Sequence, residues 1–223
     1  MKDPYLDKNG VLKNKLHIDN EKELKQAEAD IGFLKIINVD SVSFTDFDEN
    51  LIKSIHKHIF GDIYDWAGVY RKMPLFKEEI VLPGYSIPYS DYSRIDRELK
   101  ERLKELNQVE WQNLSVSDIS YQFARKIALI WKVHPFRDGN TRTMLAFSFL
   151  FAKYHGFPFD IKRFTSELNR EYQEDGKVSK YSIRDKFVLA CLDDKDYPEV
   201  EFLAYVFQHA IEEEKISDKK SQK

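Results

Sequence analysis

A mainly α-helical fold with one small β-hairpin is predicted from three features of the sequence. Residues 44–68, FTDFDENLIKSIHKHIFGDIYDWAG, place apolar side chains at helical spacing. Residues 143–156, TMLAFSFLFAKYHG, are apolar on nearly every face of a helix, which marks a helix buried in the middle of a domain. Between them, EEIVLPGYSIPY offers two short β-prone pieces on either side of Pro83-Gly84. The chain has 223 residues, 42% hydrophobic and 33% charged, which is enough for one globular domain and requires no second.

Each element has its own signals. The first helix is expected over NEKELKQAEADIGFLKIINV, with Asp19 or Asn20 as N-cap. In the second, Thr45 can cap, Asp46 and Asp48 suit the positive end of the dipole, and Phe47, Leu51, Ile55 and Ile59 share a face. Gly61 and Gly68 punctuate the segment after it. SRIDRELKERLKELNQ reads as a charged, exposed helix, and SVSDISYQFARKIALIWKV as one that turns Ile119, Phe123, Ile127 and Ile130 to the core. The buried helix closes at Gly156, with Pro158 as a stop. Helical spacing returns in DIKRFTSELNREYQ and YPEVEFLAYVFQHAIEEEK, separated by a polar linker around Asp175-Gly176. The tail ISDKKSQK is expected to be disordered.

Bulk properties exclude several function classes. A net charge of −3 gives no basic field for nucleic acid. Cys191 is the only cysteine, so neither an intrachain disulfide nor a cysteine zinc site can form, which fits a cytoplasmic setting. The opening MKDPYLDKNG has no apolar core and no stretch reaches membrane-spanning length, so neither a signal peptide nor a membrane segment is expected. His56 and His58 stand two residues apart, about 200° around a helix, and cannot share one metal ion. Trp66, Trp111 and Trp131 read as core or near-core residues.

The chemistry gathers in residues 134–143, HPFRDGNTRT. This loop runs from the end of one helix to the start of the buried one, near Thr141, where backbone N–H groups lack intrahelical partners and the dipole is positive. Such an end receives phosphate. Gly139 lets the backbone approach closely, Asn140 can add an amide donor, and Arg142 can reach a second phosphate with its planar fork. Asp138 alone would repel phosphate, and a Mg²⁺ between them removes the conflict. His134, an imidazole near pKa 6.5, is placed to act as a general base. Taken singly, each residue has an ordinary reading as a cap, a turn or a solvated arginine. Together they suggest nucleotidyl or phosphoryl transfer to a hydroxyl.

HPFRDGNTR resembles the signature H-x-F-x-[D/E]-G-N-G/K-R of Fic (filamentation induced by cAMP) domains. IHKHIFGDIYDWAGVYR is similar to the segment that leads into that family's flap, and DPYLDKNGVLKNKLHI to openings of its bacterial members. The resemblance implies a Fic-type helical bundle with a β-hairpin flap, and transfer of AMP from ATP to a Tyr, Ser or Thr hydroxyl of a protein target. Carried over, His134 is the base, Phe136 anchors the loop and Asp138 holds the Mg²⁺. Gly139, Asn140 and the backbone at Thr141 form the anion hole, and Arg142 binds the β-phosphate. The flap, about Met73 to Pro88 with Ser86, Ile87 and Pro88 in it, would clamp the target by strand addition. The implied organisation is a helical extension over residues 1–44, a Fic core over 45–165, C-terminal helices packed on it over 166–215, and the tail over 216–223.

Two positions depart from the pattern. Thr141 stands where most AMP-transferring members have glycine, and Leu145 where many carry a second arginine. The related Doc toxins share the second departure, have lysine in place of that glycine, and transfer the γ-phosphate. A phosphotransferase and a catalytically silent nucleotide-binding module therefore stand beside the adenylyltransferase reading. TDFDEN, Thr45 to Asn50, fits the family's inhibitory pattern [S/T]-x-x-x-E-[G/N]. Thr45 reads better as an N-cap and Glu49 as a first-turn acid, and Leu145 cannot pair with a glutamate. A separate antitoxin-like inhibitor is a further possible partner.

Overall fold

The computed structural model describes residues 3–82, 85–160, 172–174, 177–179, 181–192 and 199–211. Among them the chain is mainly helical. Helix α1 (Glu21–Ile37) starts at Asn20, whose side chain accepts from the N–H groups of Lys22 and Glu23. Helix α2 (Glu49–Phe60) starts at Asp48 and not at Thr45: Asp48 Oδ1 accepts from Asn50 N–H and Leu51 N–H, both at 3.0 Å. A carboxylate at that end both caps and complements the dipole, an advantage that a hydroxyl lacks. Phe47, Leu51, Ile55 and Ile59 are buried as expected.

Helix α3 (Ile95–Asn107) looks exposed by composition, yet Ile95, Leu99, Leu103 and Leu106 form a buried stripe at helical spacing. Helix α4 (Val116–Val133) is capped by Ser115 Oγ, which accepts from Asp118 N–H at 3.1 Å. Helix α5 (Asn140–Tyr154) is the buried helix foreseen, followed by Gly156 in the left-handed region. Helix α6 (Ile183–Ala190) opens on a Ser182/Asp185 capping box, and α7 (Glu201–Ala210) completes the described helices. α4 packs against α3, α5, α6 and α7, while α2 packs against α1 and α5. Phe123, Trp131, Phe147 and Phe151 fill the centre with 1% exposure or less. Each such side chain stabilises the fold by about 1.5–3 kcal/mol. The loop joining α4 to α5 is therefore anchored in the core at both ends.

The strands lie elsewhere than expected. β1 (Tyr172–Glu174) and β2 (Lys177–Ser179) pair antiparallel, with Tyr172 opposite Ser179. Sequence spacing predicts instead a helix ending at Gln173 and a polar linker here. An Asp-Gly step between two short runs is a hairpin signal that the linker reading passes over. Asp175, Gly176, most of the helix expected over 160–173, and the tail lie outside the described residues. The hairpin expected between Met73 and Pro88 is reduced, among described residues, to one antiparallel bridge between Glu79 and Leu82. Pro83 and Gly84 lie outside the described residues. In this segment Glu79, 2% exposed, turns inward to Arg184. No described helix is long and apolar enough to cross a membrane.

Candidate functional site

α4 ends at Val133, and His134 follows in the left-handed region at φ 51° and ψ 60°. The chain turns through Pro135 to Asp138 and re-enters helix at Asn140. Gly139, at φ 77°, admits no side chain, because a Cβ there would overlap the Phe60 ring. Asn140 stitches the loop from within. Its Nδ2 donates to the Phe136 carbonyl at 2.9 Å and its Oδ1 accepts from Phe136 N–H at 3.0 Å. The Asn140 amide is thus committed to the loop, which leaves the anion-receptive role to backbone N–H groups. Those of Asn140, Thr141 and Arg142 open α5 and have no intrahelical acceptor.

His56, which cannot share a metal ion with His58, fastens this loop to α2. Its Nδ1 accepts from Gly68 N–H at 2.9 Å, so Nε2 carries the hydrogen and donates to the Asp138 carbonyl at 3.0 Å. Its ring stacks on Phe136 with centroids 3.8 Å apart. Burial, the largest cause, pushes the His56 imidazole down to about 4.

His134 is fully buried, beneath Tyr89 with ring centroids 4.1 Å apart and against the edge of Trp131 at 5.0 Å. Neither ring nitrogen has a hydrogen-bond partner among the described residues. Burial first, then the charges of Lys77, Arg184 and Arg71, hold its pKa well below the ordinary histidine value. The imidazole is accordingly neutral, the form that accepts a proton.

Asp138 lies on the other side of the loop, where its Oδ1 accepts from Gly139 N–H at 2.5 Å. Burial raises its pKa, but the Lys77 ammonium, the Gly139 N–H, Arg142 and Arg137 together outweigh that, and the net shift is downward. A cavity of about 300 Å³ opens beside it, walled by Leu6, Val11, Leu24, Lys77 and Arg137. A larger cavity of about 650 Å³ lies at the far end of α5 by Trp111 and His155 and carries none of the motif groups. Among the described residues no three His, Cys, Asp or Glu side chains converge on a metal position. The donor set fits a Mg²⁺ held by one carboxylate and phosphate oxygens, and does not fit a cage made by protein alone.

Arg142 donates from Nη2 to Glu28 Oε2 at 2.8 Å, with its guanidinium 4.5 Å above the Phe60 ring. Thr141 Oγ1 accepts from Trp131 Nε1 at 3.0 Å, and Leu145 is 8% exposed within the core. Both departures from the motif therefore have packing partners. In the flap segment, Ser86 Oγ accepts from Lys77 N–H at 3.3 Å and donates to the Ile87 carbonyl at 3.0 Å. Ile87 is buried and anchors this segment, while Pro88 is exposed.

Sequence reasoning missed several residues that shape the site. Arg71, 1% exposed, donates to the carbonyls of His134 at 2.9 Å, Met73 at 2.8 Å and Ser90 at 2.5 Å, tying both ends of the flap segment to the base. Arg184 of α6 grips Glu79 through Nε at 2.9 Å and Nη2 at 2.6 Å, and Tyr89 Oη donates to Glu79 Oε1 at 2.6 Å. This clasp holds Tyr89 over His134, and neither partner announces it in the sequence. Glu28 was legible in part: it shares the inner face of α1 with Leu24 and Gly32, an odd place for a carboxylate.

A neutral buried imidazole, a helix start with unpaired backbone N–H groups and a lone carboxylate on one loop of a helical domain characterise the site. Residues 46–152 match the model of the Fic/DOC family. Among relatives, it is 28% identical over 163 residues to the protein adenylyltransferase VbhT of Bartonella schoenbuchensis, covering 72% of this chain and 33% of that one. The chain thus spans about a third of that relative's length. It is 29% identical to the probable protein adenylyltransferase y4lH of Sinorhizobium fredii, over 74% of this chain and 85% of that one. In fold it matches the BepC effector of Bartonella tribocorum, whose crystal structure holds AMPPNP, with a TM-score of 0.69 at 22% identity, over 93% and 96% of the two chains.

Proposed function

We propose that this protein is a protein adenylyltransferase that moves AMP from ATP to a Tyr, Ser or Thr hydroxyl of a protein target. The observation that carries the reading is His134, a neutral buried imidazole one loop away from helix-start amides that have no intrahelical acceptor. Curated relatives that match most of this chain are protein adenylyltransferases, which supports the same activity.

In the reaction, the target oxygen attacks the α-phosphorus as its proton passes to a ring nitrogen of His134. The bond from that phosphorus to the oxygen bridging to the β-phosphate breaks, and pyrophosphate leaves. Backbone N–H groups at Asn140 and Thr141, with Gly139 giving close approach, hold the phosphate oxygens on which charge accumulates. Arg142 takes the β-phosphate with its fork of donors. Asp138 would hold a Mg²⁺, which when bound neutralises phosphate charge. Tyr89 covers His134 and must shift as the target enters, and it follows directly on the flap segment, Met73 to Pro88. The exposed apolar side chains of that segment, Phe76, Ile80 and Tyr85, are available to that target.

Thr141 and Leu145 do not call for a different reaction on this reading. The Thr141 hydroxyl serves Trp131, and Leu145 fills the core. Incubation with α-labelled ATP, Mg²⁺ and a cell lysate is expected to label a protein band that is lost in His134→Ala, the base contributing on the order of 10²–10⁴ in rate. Labelling from γ- but not α-labelled ATP would assign phosphoryl transfer instead. Binding of ATP with no covalent product would assign a silent module.

A further inference from the structure

Glu28 lies on α1, outside the residues 46–152 that carry the family match, and is 7% exposed. A carboxylate this deep in an otherwise apolar face is costly unless its oxygens are met by donors. Both are met. Tyr64 Oη donates to Oε1, and Arg142 Nη2 donates to Oε2 at 2.8 Å. Arg142 Nη1 also lies 3.5 Å from the Glu28 carbonyl, and the face of Phe60 backs the guanidinium at 4.5 Å. That same Phe60 ring closes the space at Gly139, so a single aromatic sets both the loop glycine and the arginine.

A guanidinium has five N–H donors. One serves the Glu28 carboxylate and one sits at the limit of hydrogen-bond range to the Glu28 carbonyl, which leaves three without a partner among the described residues. The side chain is thereby fixed in plane and rotamer while most of its donors remain free for an anion. An unrestrained arginine gives up that rotamer freedom when it binds, and an arginine held beforehand does not.

We infer that Glu28 is a positioning residue that acts through Arg142, presenting the guanidinium to the β-phosphate in the orientation that transfer requires. The inference rests on the adenylyltransferase reading above. It makes α1 part of the catalytic unit, although no residue of α1 belongs to the motif.

The test is a double-mutant cycle read as kcat/KM for ATP in the α-label transfer assay, with the Kd of ATP·Mg²⁺ measured by calorimetry on the same proteins. Glu28→Gln is expected to lower kcat/KM and weaken ATP on the order of tenfold, as loss of a supporting partner does. In the Arg142→Ala background the same substitution is expected to add little, because Glu28, although it also lines the cavity beside Asp138, acts on the nucleotide chiefly through the guanidinium it holds. Tyr64→Phe should act in the same direction but less strongly, and it carries the test if thermal melting finds Glu28→Gln unfolded. Additive losses in the cycle would overturn the inference in favour of a purely structural role. A rise in activity in Glu28→Gln would overturn it too, since the carboxylate would then be competing with phosphate. Absence of any label from the wild-type chain would sink the activity reading, while the Kd comparison still decides the role of Glu28. Failure of the wild-type chain to bind ATP would overturn both.

Discussion

The fastening of the motif loop by His56 makes a quantitative statement about stability and pH. The folded chain keeps His56 neutral, since Nδ1 accepts from Gly68 N–H and burial opposes a charge. Its pKa falls from 6.5 unfolded to about 4 folded. Below pH 6.5 the unfolded chain therefore binds a proton that the folded chain refuses until about pH 4, and stability falls with pH across that window. The contribution is fully present above pH 6.5 and is exhausted near pH 4. At 1.36 kcal/mol per pH unit, the interval from 6.5 to about 4 amounts to about 3 kcal/mol. The perturbation that isolates it is His56→Gln, which keeps a donor and an acceptor but does not titrate. Urea unfolding followed by tryptophan fluorescence, at intervals from about pH 8 down to about pH 4, gives the stability difference between the two proteins, in which the shared carboxylates cancel. That difference is expected to shrink by about 3 kcal/mol as the pH falls. A difference independent of pH would refute the reasoning, since His56 would then be charged or free to charge in the fold.

The site itself yields three further expected outcomes. Transfer activity should hold its plateau below pH 6.5, because burial and the neighbouring cations keep His134 neutral there; a kcat/KM profile with its acid limb at the ordinary histidine pKa contradicts this. Gly139→Ala combines a left-handed backbone at φ 77° with an overlap against the Phe60 ring, and should cost about 2–4 kcal/mol in urea unfolding together with loss of ATP binding in calorimetry. Arg184→Ala leaves the buried Glu79 carboxylate without its cationic partner, and should destabilise by about 3 kcal/mol. It should also raise the rate at which diethyl pyrocarbonate modifies His134, measured by peptide mass, as the clasp over Tyr89 loosens.

What the sequence disclosed and what it hid divide along physical lines. Helix positions were legible because burial repeats every turn: Phe123 and Ile127 on α4, or Leu51 and Ile55 on α2, betray their faces by spacing alone. Caps were less so, since Thr45 and Asp48 are both competent and only the dipole and the course of the chain choose between them. The motif residues were legible because His134 to Arg142 are adjacent in sequence and become adjacent in space through one loop. Partners that arrive from far along the chain left little trace. Arg184 meets Glu79 across 105 positions, and Glu28 meets Arg142 across 114. The inward contact of the flap segment was hidden for the same reason, since its Glu79 pairs with that remote arginine.

The central claim is that the protein transfers AMP with His134 as the base, and the mass of the protein itself tests it most directly. After incubation with ATP and Mg²⁺, intact-mass measurement of the wild-type chain and of a target-containing mixture is expected to find a gain equal to one AMP group, absent in His134→Ala. A gain equal to phosphate, or an AMP gain undiminished in His134→Ala, would contradict it.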